Sequence, residues 1–155
     1  MSRVRAEDYE DKKQTILDKA AAVIARKGFD QATMMDVARA CHASKSHLYH
    51  YFASKEELLY AIVHDHITRQ AAELAQIVAL PLPAEERFAR FIESFMRVAA
   101  RERDQHVILM NDLKYLPRAQ WHEVRAMEVR MTELLEDLLA ELNHGLMARQ
   151  RVRKP

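Results

Sequence analysis

The sequence has little glycine and little proline. Its 155 residues include two glycines, Gly28 and Gly145, and four prolines, so the residues that interrupt helices are few. Alanine, leucine, glutamate, arginine and methionine dominate instead, and these residues lose least on entering a helix. A chain of this length can bury one good core, or a small module plus a modest second bundle. We therefore predict a nearly all-α protein of one or two small domains.

Features of disulfide-bonded, secreted or membrane proteins are also absent. The single cysteine, Cys41, cannot form an internal disulfide. The charged start MSRVRAEDYEDKK lacks the apolar run of a signal peptide. Charges interrupt every apolar segment, and none approaches the length of a membrane span. The expectation is a soluble cytoplasmic protein.

Residue sets for catalysis or cofactor binding are missing as well. No Ser/His/Asp set, phosphate loop or dinucleotide fingerprint is visible. Several histidines lie near Cys41, and His64 and His66 form a pair. Positions two apart on a helix point in different directions, however, and Cys41 is expected to face inward as a small core residue. We predict no enzymatic activity, no catalytic residue, no cofactor and no metal site.

Charge alone gives a weak signal for nucleic acid. The formal net charge is +1, and residues 1–55 carry ten basic side chains against seven acidic ones. An excess of three is weak evidence for a polyanionic partner. Whether the partner is a nucleic acid must therefore be judged from local sequence motifs.

Four helices are predicted in the first half of the chain. Apolar residues at helical spacing, followed by a basic turn and a glycine, indicate the first helix. Thr33 with Asp36, and Ser54 with Glu57, have the spacing of capping boxes, while Ser44 can cap a helix of about two turns. The fourth helix would be on the order of 35 Å long, more than a three-helix module needs. The predicted ranges are 12–27, 33–41, 44–52 and 54–78.

Three further helices are predicted in the second half. The stretch LPLPAEE (80–86) interrupts the chain, and Pro83 fits near a helix N-terminus. Pro117 is expected to stop the sixth helix. The basic tail ARQRVRKP (148–155) has no cap and is expected to be frayed or cut short. The predicted ranges are a fifth helix after Pro83, a sixth within 104–117 and a long seventh over 118–142.

The stretch ASKSHLYHYFASKEEL (43–58) separates into two faces on a helical wheel. Leu48 and Phe52 point inward, whereas a polar and aromatic face points outward. Two short helices joined by a tight turn, with such a face on the second, form the helix-turn-helix that enters the DNA major groove. On that face Lys45 can reach guanine, Ser46 and His50 can reach base edges, and Tyr49 can reach phosphate, while Thr33 and Lys55 lie beside helix N-termini that hold phosphates.

Residues 12–67 resemble the DNA-binding domain of the tetracycline-repressor (TetR) family. The resemblance rests on ILDKAAAVIARKGFDQATMMDVARACHASKSHLYHYFASKEELL. It implies a homodimeric repressor, with an N-terminal domain (1–55), a connecting helix from 54, and an effector-binding and dimerising domain (56–155). The residues it implies at the DNA face are Thr33, Ser44, Lys45, Ser46, Tyr49, His50, Tyr51 and Lys55.

The sequence departs from the family pattern at three places. His42 stands where the family usually has a glycine in the turn, so a left-handed conformation there would be less favourable. Ser46 and His47 replace the usual small residue and threonine, which bears on the operator sequence. Family members usually continue for about two more long helices, so the second domain is expected to be incomplete or shortened.

The function predicted is release of a palindromic operator when a small molecule binds the second domain and moves the long fourth helix. The effector could be an acyl-CoA or another apolar or anionic metabolite. Methionines and aromatics from the last three helices could line an adaptable pocket, although simple packing explains any one of them. The alternative function is a protein-interaction or architectural DNA-binding module without an effector. The candidate pocket residues are Phe95, Met96, Met110, Trp121, Met127 and Met131.

Overall fold

The computed structural model describes the backbone of residues 2–152 and the side chains of residues 7–144. Within that part the chain is helical and contains no strand, which confirms the all-α prediction. The helices are α1 (Ser2–Lys27), α2 (Met34–Ala40), α3 (Lys45–Tyr51), α4 (Lys55–Val78), α5 (Ala84–Arg101), α6 (Arg103–Asn111) and α7 (Arg118–Val152), with a 3-10 turn at Leu113–Tyr115.

Residue contacts divide the chain into two units. Unit one combines the described residues up to 66 with residues 102–122. Unit two combines residues 67–101 with the described residues from 123 onward. Helix α6 and the 3-10 turn therefore fold with the N-terminal helices, and α6 packs on α1. The predicted domain division between 55 and 56 is not tested by these contacts and stays a prediction.

Helix α1 begins ten residues earlier than predicted. The expected start at Lys12 was wrong, because the helix begins at Ser2. The sequence before Lys12 has few apolar residues at helical spacing, but it is rich in residues with good helix propensity. Lys12 also pairs with Asp8 one turn away at 2.8 Å, an arrangement that adds a little helix stability. The C-terminal end is as predicted: Gly28, at φ +81°, donates its N–H to Ile24 O at 2.7 Å.

The predicted capping box forms at the start of α2. Thr33 Oγ1 accepts from Asp36 N at 3.1 Å, and Asp36 Oδ2 accepts from Thr33 N at 3.0 Å. Lys27 adds an ion pair to the other carboxylate oxygen at 2.9 Å. The Lys27 ammonium, followed by the Thr33 hydroxyl and N–H, lowers the pKa of Asp36 to about 2. The loop between α1 and α2 thus ends in a charged, hydrogen-bonded cap.

The caps of α3 and α4 use serine hydroxyls. Ser44 Oγ accepts from His47 N, and Ser54 Oγ accepts from Glu57 N, both at 3.0 Å. The capping box predicted for α4 differs in one bond, because Glu57 Oε2 accepts from Ala53 N at 2.9 Å, one residue before the serine. The Ser54 hydroxyl thus satisfies an N–H in the first turn of α4, and the Glu57 carboxylate satisfies the N–H of the residue before the cap.

A continuous apolar core holds unit one together. Leu48 of α3 and Leu58, Leu59 and Ile62 of α4 are at most 1% exposed, so burial of α3 depends on one central leucine and on Phe52 just after it. Burying a leucine side chain contributes about 1.5–3 kcal/mol. Further core residues of unit one are Ile16, Ala20, Val23, Ile24, Val37, Ala38, Val63 and Ile108.

In unit two, α5 starts directly after Pro83, as predicted. The Arg87 guanidinium donates to Val78 O at 2.9 Å and Leu82 O at 3.0 Å, carbonyls at and just beyond the end of α4, and it also pairs with Glu141. Ser94 donates its hydroxyl to Glu73, and this bond, together with Arg97, lowers the pKa of that carboxyl. Buried apolar residues of this unit are Ile67, Leu74, Phe91, Val98, Val124, Met131, Leu134 and Leu138.

Two predicted ends in the second half were wrong. Helix α6 ends at Asn111, well before Pro117, because the chain forms a 3-10 turn and then extends at Leu116. Proline disfavours the helical conformation of the residue before it, which accounts for the extended conformation of Leu116. Helix α7 continues to Val152 instead of ending at Leu142, so most of the tail predicted to be frayed is helical. Residues 153–155 of that tail lie outside the described residues.

Candidate nucleic-acid interface

The turn between α2 and α3 is closed by two backbone hydrogen bonds. His42 N donates to Arg39 O at 3.1 Å, and Ala43 N donates to Ala38 O at 2.9 Å. His42 has φ +52°, the only positive φ outside glycine among the described residues. A left-handed conformation costs a residue with a Cβ about 1–2 kcal/mol. The expectation that His42 replaces glycine at a left-handed position is therefore confirmed for its conformation.

The outward face of α3 is polar and exposed. Lys45, Ser46, Tyr49 and His50 are all exposed, while Leu48 on the opposite face is fully buried. The Lys45 ammonium lies 5.8 Å from the centre of the Tyr49 ring. The structure thus brings four of the eight predicted DNA-contacting residues onto one short exposed face.

Thr33 and Ser44 lie at helix N-termini and are exposed. Each hydroxyl already accepts an N–H of its own helix, and Thr33 also donates to Asp36 at 2.9 Å. The Ser44 hydroxyl accepts this bond through an oxygen lone pair, so its own proton is left for a further acceptor. The predicted phosphate contacts of Thr33 and Ser44 remain predictions.

Lys55 is placed differently from the other predicted contacts. Its ammonium donates to Phe29 O at 2.6 Å and to Ala32 O at 3.0 Å, and it lies 4.3 Å from the centre of the Phe29 ring. The side chain is half-buried and holds the loop between α1 and α2. An ammonium has three donors, so one N–H is left beyond these two carbonyls. The predicted phosphate contact of Lys55 remains a prediction.

Tyr51, the last residue of α3, lies at the centre of an aromatic cluster in unit one. Its ring stacks on Tyr9 of α1 at 4.9 Å between centroids with a 24° interplanar angle. The rings of His47 and His50 meet it edge-on at 5.3 and 5.5 Å. Sequence reasoning missed Tyr9 because the helix was predicted to begin at residue 12. The Asp8 and Lys12 spacing was the available signal that α1 extends further.

A second aromatic contact joins the 3-10 turn to the loop between α1 and α2, within unit one. Tyr115 stacks on Phe29 at 4.7 Å with a 28° interplanar angle, and its hydroxyl donates to Asp30. The hydrogen bond with Asp30 raises the pKa of Tyr115. Phe29 therefore has Tyr115 and Lys55 as neighbours, and the loop leading to the Thr33 cap is held by both.

The predicted effector-pocket residues are distributed over both units. In unit two, Met131 is buried, Phe95 and Met127 are half-buried, and Met96 is 61% exposed. Thr68 donates its hydroxyl to the Met127 sulfur at 3.4 Å. In unit one, Met110 is 66% and Trp121 36% exposed. The pocket is not tested by these positions and stays a prediction.

A metal site, a reactive cysteine and a membrane-spanning helix have little support in the described part of the chain. No group of three His, Cys, Asp or Glu side chains there has the geometry to hold a metal ion. Burial raises the pKa of the Cys41 thiol, which disfavours the reactive thiolate. Nor does any described helix combine the length and apolarity needed to cross a bilayer.

Two family models match the chain, and the second match begins at Pro81. Residues 16–62 match the model described as "Bacterial regulatory proteins, tetR family". Residues 81–151 match "Tetracyclin repressor-like, C-terminal domain". The first match contains the whole of α2 and α3, and the second contains the whole of α5 and α6.

Individual relatives agree with both models. The HTH-type transcriptional repressor KstR2 of Mycolicibacterium smegmatis is 27% identical over 135 residues, covering 84% of this chain and 64% of that protein. A TetR-family transcriptional regulator from Bordetella parapertussis has a TM-score of 0.80 at 33% identity, over 88% of this chain and 71% of that one. At 23% identity, AibR in complex with isovaleryl coenzyme A and operator DNA shares the fold, with a TM-score of 0.72 over 93% of this chain and 76% of that one.

The chain thus spans somewhat less than two thirds of the length of KstR2, and about seven tenths of the Bordetella regulator. The similarity nevertheless includes the helix-turn-helix and the helices that follow it, so the predicted fold class, a helix-turn-helix followed by further helices, is confirmed. This chain belongs to the TetR family of bacterial transcriptional regulators.

Proposed function

We propose that this protein is a cytoplasmic transcriptional repressor whose α3 reads operator DNA in the major groove. The observation that carries the proposal is the exposed face of α3, which presents a cation, a hydroxyl, a phenol and an imidazole from a helix seven residues long. A recognition helix of this size fits the major groove with its side chains at base edges.

Each group on that face has a role that suits its chemistry. Lys45 donates to O6 and N7 of guanine, while Ser46 and His50 bond base edges. Tyr49 bonds a phosphate oxygen, and Thr33 and Ser44 direct helix N-termini toward the backbone on either side. Base contacts then supply sequence preference, whereas the phosphate contacts fix the register of the protein on the duplex.

Binding as a homodimer would make the operator palindromic. Two copies of α3 related by a two-fold axis contact half-sites roughly 34 Å apart, or a multiple of that spacing. The dimer is a family property brought to this chain by similarity, and the chain covers only part of the relatives' length.

Release of DNA by a small molecule is the second part of the proposal. An effector that binds one conformation of unit two better than another shifts the population away from the DNA-binding state. AibR, solved with isovaleryl coenzyme A and operator DNA, supports an acyl-CoA as the first class to test. The residues of unit two proposed to receive it are Phe95, Met96, Met127 and Met131, whereas Met110 and Trp121 belong to unit one.

Selection of bound DNA from a random pool tests whether the protein recognises a specific operator sequence. Recovery of a palindrome is expected, and its half-site spacing would report the dimer directly. Recovery of unrelated sequences with only salt-dependent, sequence-independent binding would contradict a repressor that reads an operator.

A thermal-shift series tests the effector. A ligand that binds only the native state raises the melting temperature by mass action. Short-chain acyl-CoAs are expected to raise it, with free coenzyme A and the free acids as controls. Absence of any shift with acyl-CoAs, aromatic acids and drugs, despite tight operator binding, would favour an architectural or protein-interaction module.

A further inference from the structure

Tyr9 lies on the part of α1 that precedes the recognised motif, yet it contacts α3. Its ring stacks on Tyr51 at 4.9 Å and meets the His50 ring edge-on at 6.5 Å with an 83° interplanar angle. The Tyr9 side chain is 38% exposed, so it is a surface residue held by these ring contacts. The match to the family model begins only at residue 16, so that model assigns nothing to Tyr9.

The cluster around Tyr51 contains two histidines of the recognition helix. His47 and His50 both place a ring edge against Tyr51, at interplanar angles of 68° and 88°. Both histidines are exposed, so packing in the core does not fix their orientation. Tyr51 is half-buried and is the common neighbour of all three rings.

We propose that Tyr9 is a positioning residue for operator recognition. By stacking on Tyr51 and bordering His50, it holds the His50 imidazole in the orientation that reads a base edge. This inference rests on the proposed function, because it requires α3 to contact DNA. Tyr9 itself is not assigned a contact with the operator.

The physical reason is the small amount of burial available to α3. The helix has seven residues and one buried side chain, Leu48, so little else restricts the rotamers of its exposed residues. An exposed side chain that must adopt one rotamer on binding loses rotamer freedom, and a ring already held by neighbours loses less. Stacked and edge-to-face aromatic pairs are specific in geometry, which makes them suited to this restriction.

The test compares Tyr9→Ala with Tyr9→Phe on the operator selected by the wild-type protein. Removing the ring is expected to weaken operator binding about 2- to 12-fold. This range is the free energy of one aromatic pair converted to a ratio of affinities. Tyr9→Phe keeps the ring and should restore wild-type affinity. Base preference at the position read by His50 should relax in Tyr9→Ala alone, while the slope of log affinity against log salt stays unchanged, since no phosphate contact is lost.

Ile92→Ala is the matched control. It removes an apolar side chain of similar exposure, 39%, from α5 in unit two. Its base preference should equal that of the wild type. Melting temperatures of all variants separate loss of folding from loss of recognition.

Several results would overturn the inference, and they differ from failure of the proposed function. Wild-type protein that selects no DNA sequence would contradict the proposed function itself. With operator binding intact, unchanged affinity and base preference in Tyr9→Ala would refute a positioning role. Equal losses in Tyr9→Ala and Tyr9→Phe, or a lower salt slope in either, would assign Tyr9 a direct contact through its hydroxyl and refute positioning as well.

Discussion

Lys55→Met is predicted to destabilise unit one, because the ammonium holds the loop between α1 and α2. The substitution keeps an unbranched apolar side chain over Phe29 but removes two hydrogen bonds, to Phe29 O at 2.6 Å and Ala32 O at 3.0 Å. Hydrogen bonds to charged groups contribute about 1.5–3 kcal/mol each, and a cation over an aromatic ring adds about 0.5–1 kcal/mol at exposed sites. The side chain is half-buried and water can reach part of the loop, so we expect a loss of about 2–3 kcal/mol, below the full sum.

Urea unfolding followed by circular dichroism measures this loss. Lys45→Met is the matched control, since Lys45 is exposed and its replacement is expected to change the free energy of unfolding by no more than about 0.5 kcal/mol. A surface lysine that only contacts phosphate would behave like the control. Equal unfolding free energies for Lys55→Met, Lys45→Met and the wild type would therefore refute the loop-holding role.

Three further predictions concern the helix-turn-helix. His42→Gly should raise stability by about 0.5–1 kcal/mol, because relief at φ +52° exceeds the added freedom of the unfolded chain; a melting temperature equal to that of His42→Ala would contradict this. The pKa of Asp36, about 2 when folded and 3.8 ordinarily, means that its contacts stabilise the protein above about pH 4 and that this contribution is lost as the pH falls toward 2. Asp36→Asn should flatten that part of the stability profile, and an unchanged profile would assign it to other carboxyls. Lys45→Ala should weaken operator binding and relax base preference at one position, whereas equal weakening on operator and scrambled DNA would make Lys45 a phosphate contact.

Local signals in the sequence predicted much of unit one correctly. The capping pair at Thr33, the serine at position 44 and the glycine after α1 each act within one turn of helix, so spacing alone predicts them. The separation of Leu48 from the exposed face of α3 follows from helical geometry in the same way. Interactions of this short range need no knowledge of the rest of the fold.

Contacts between distant parts of the chain were not predictable from spacing. Lys55 has the position of a residue beside a helix N-terminus, and nothing local indicates that its ammonium reaches carbonyls 23 and 26 residues earlier. Tyr9 lies in a charged segment without an apolar stripe, so periodicity alone did not include it in α1. Its partner Tyr51 is 42 positions away in numbering, and only the folded structure brings the two rings together.

The segment 102–122 gives the clearest case of tertiary packing overriding chain order. By sequence, α6 and the turn after it belong with the second half, but they fold with the N-terminal helices. Tyr115 from that turn stacks on Phe29 and bonds Asp30, while Lys55 from the start of α4 holds the same loop through Phe29 O and Ala32 O. The loop continues directly into the Thr33 cap of α2. The start of α4 and the turn after α6 therefore both contact the loop that leads into the helix-turn-helix, within unit one.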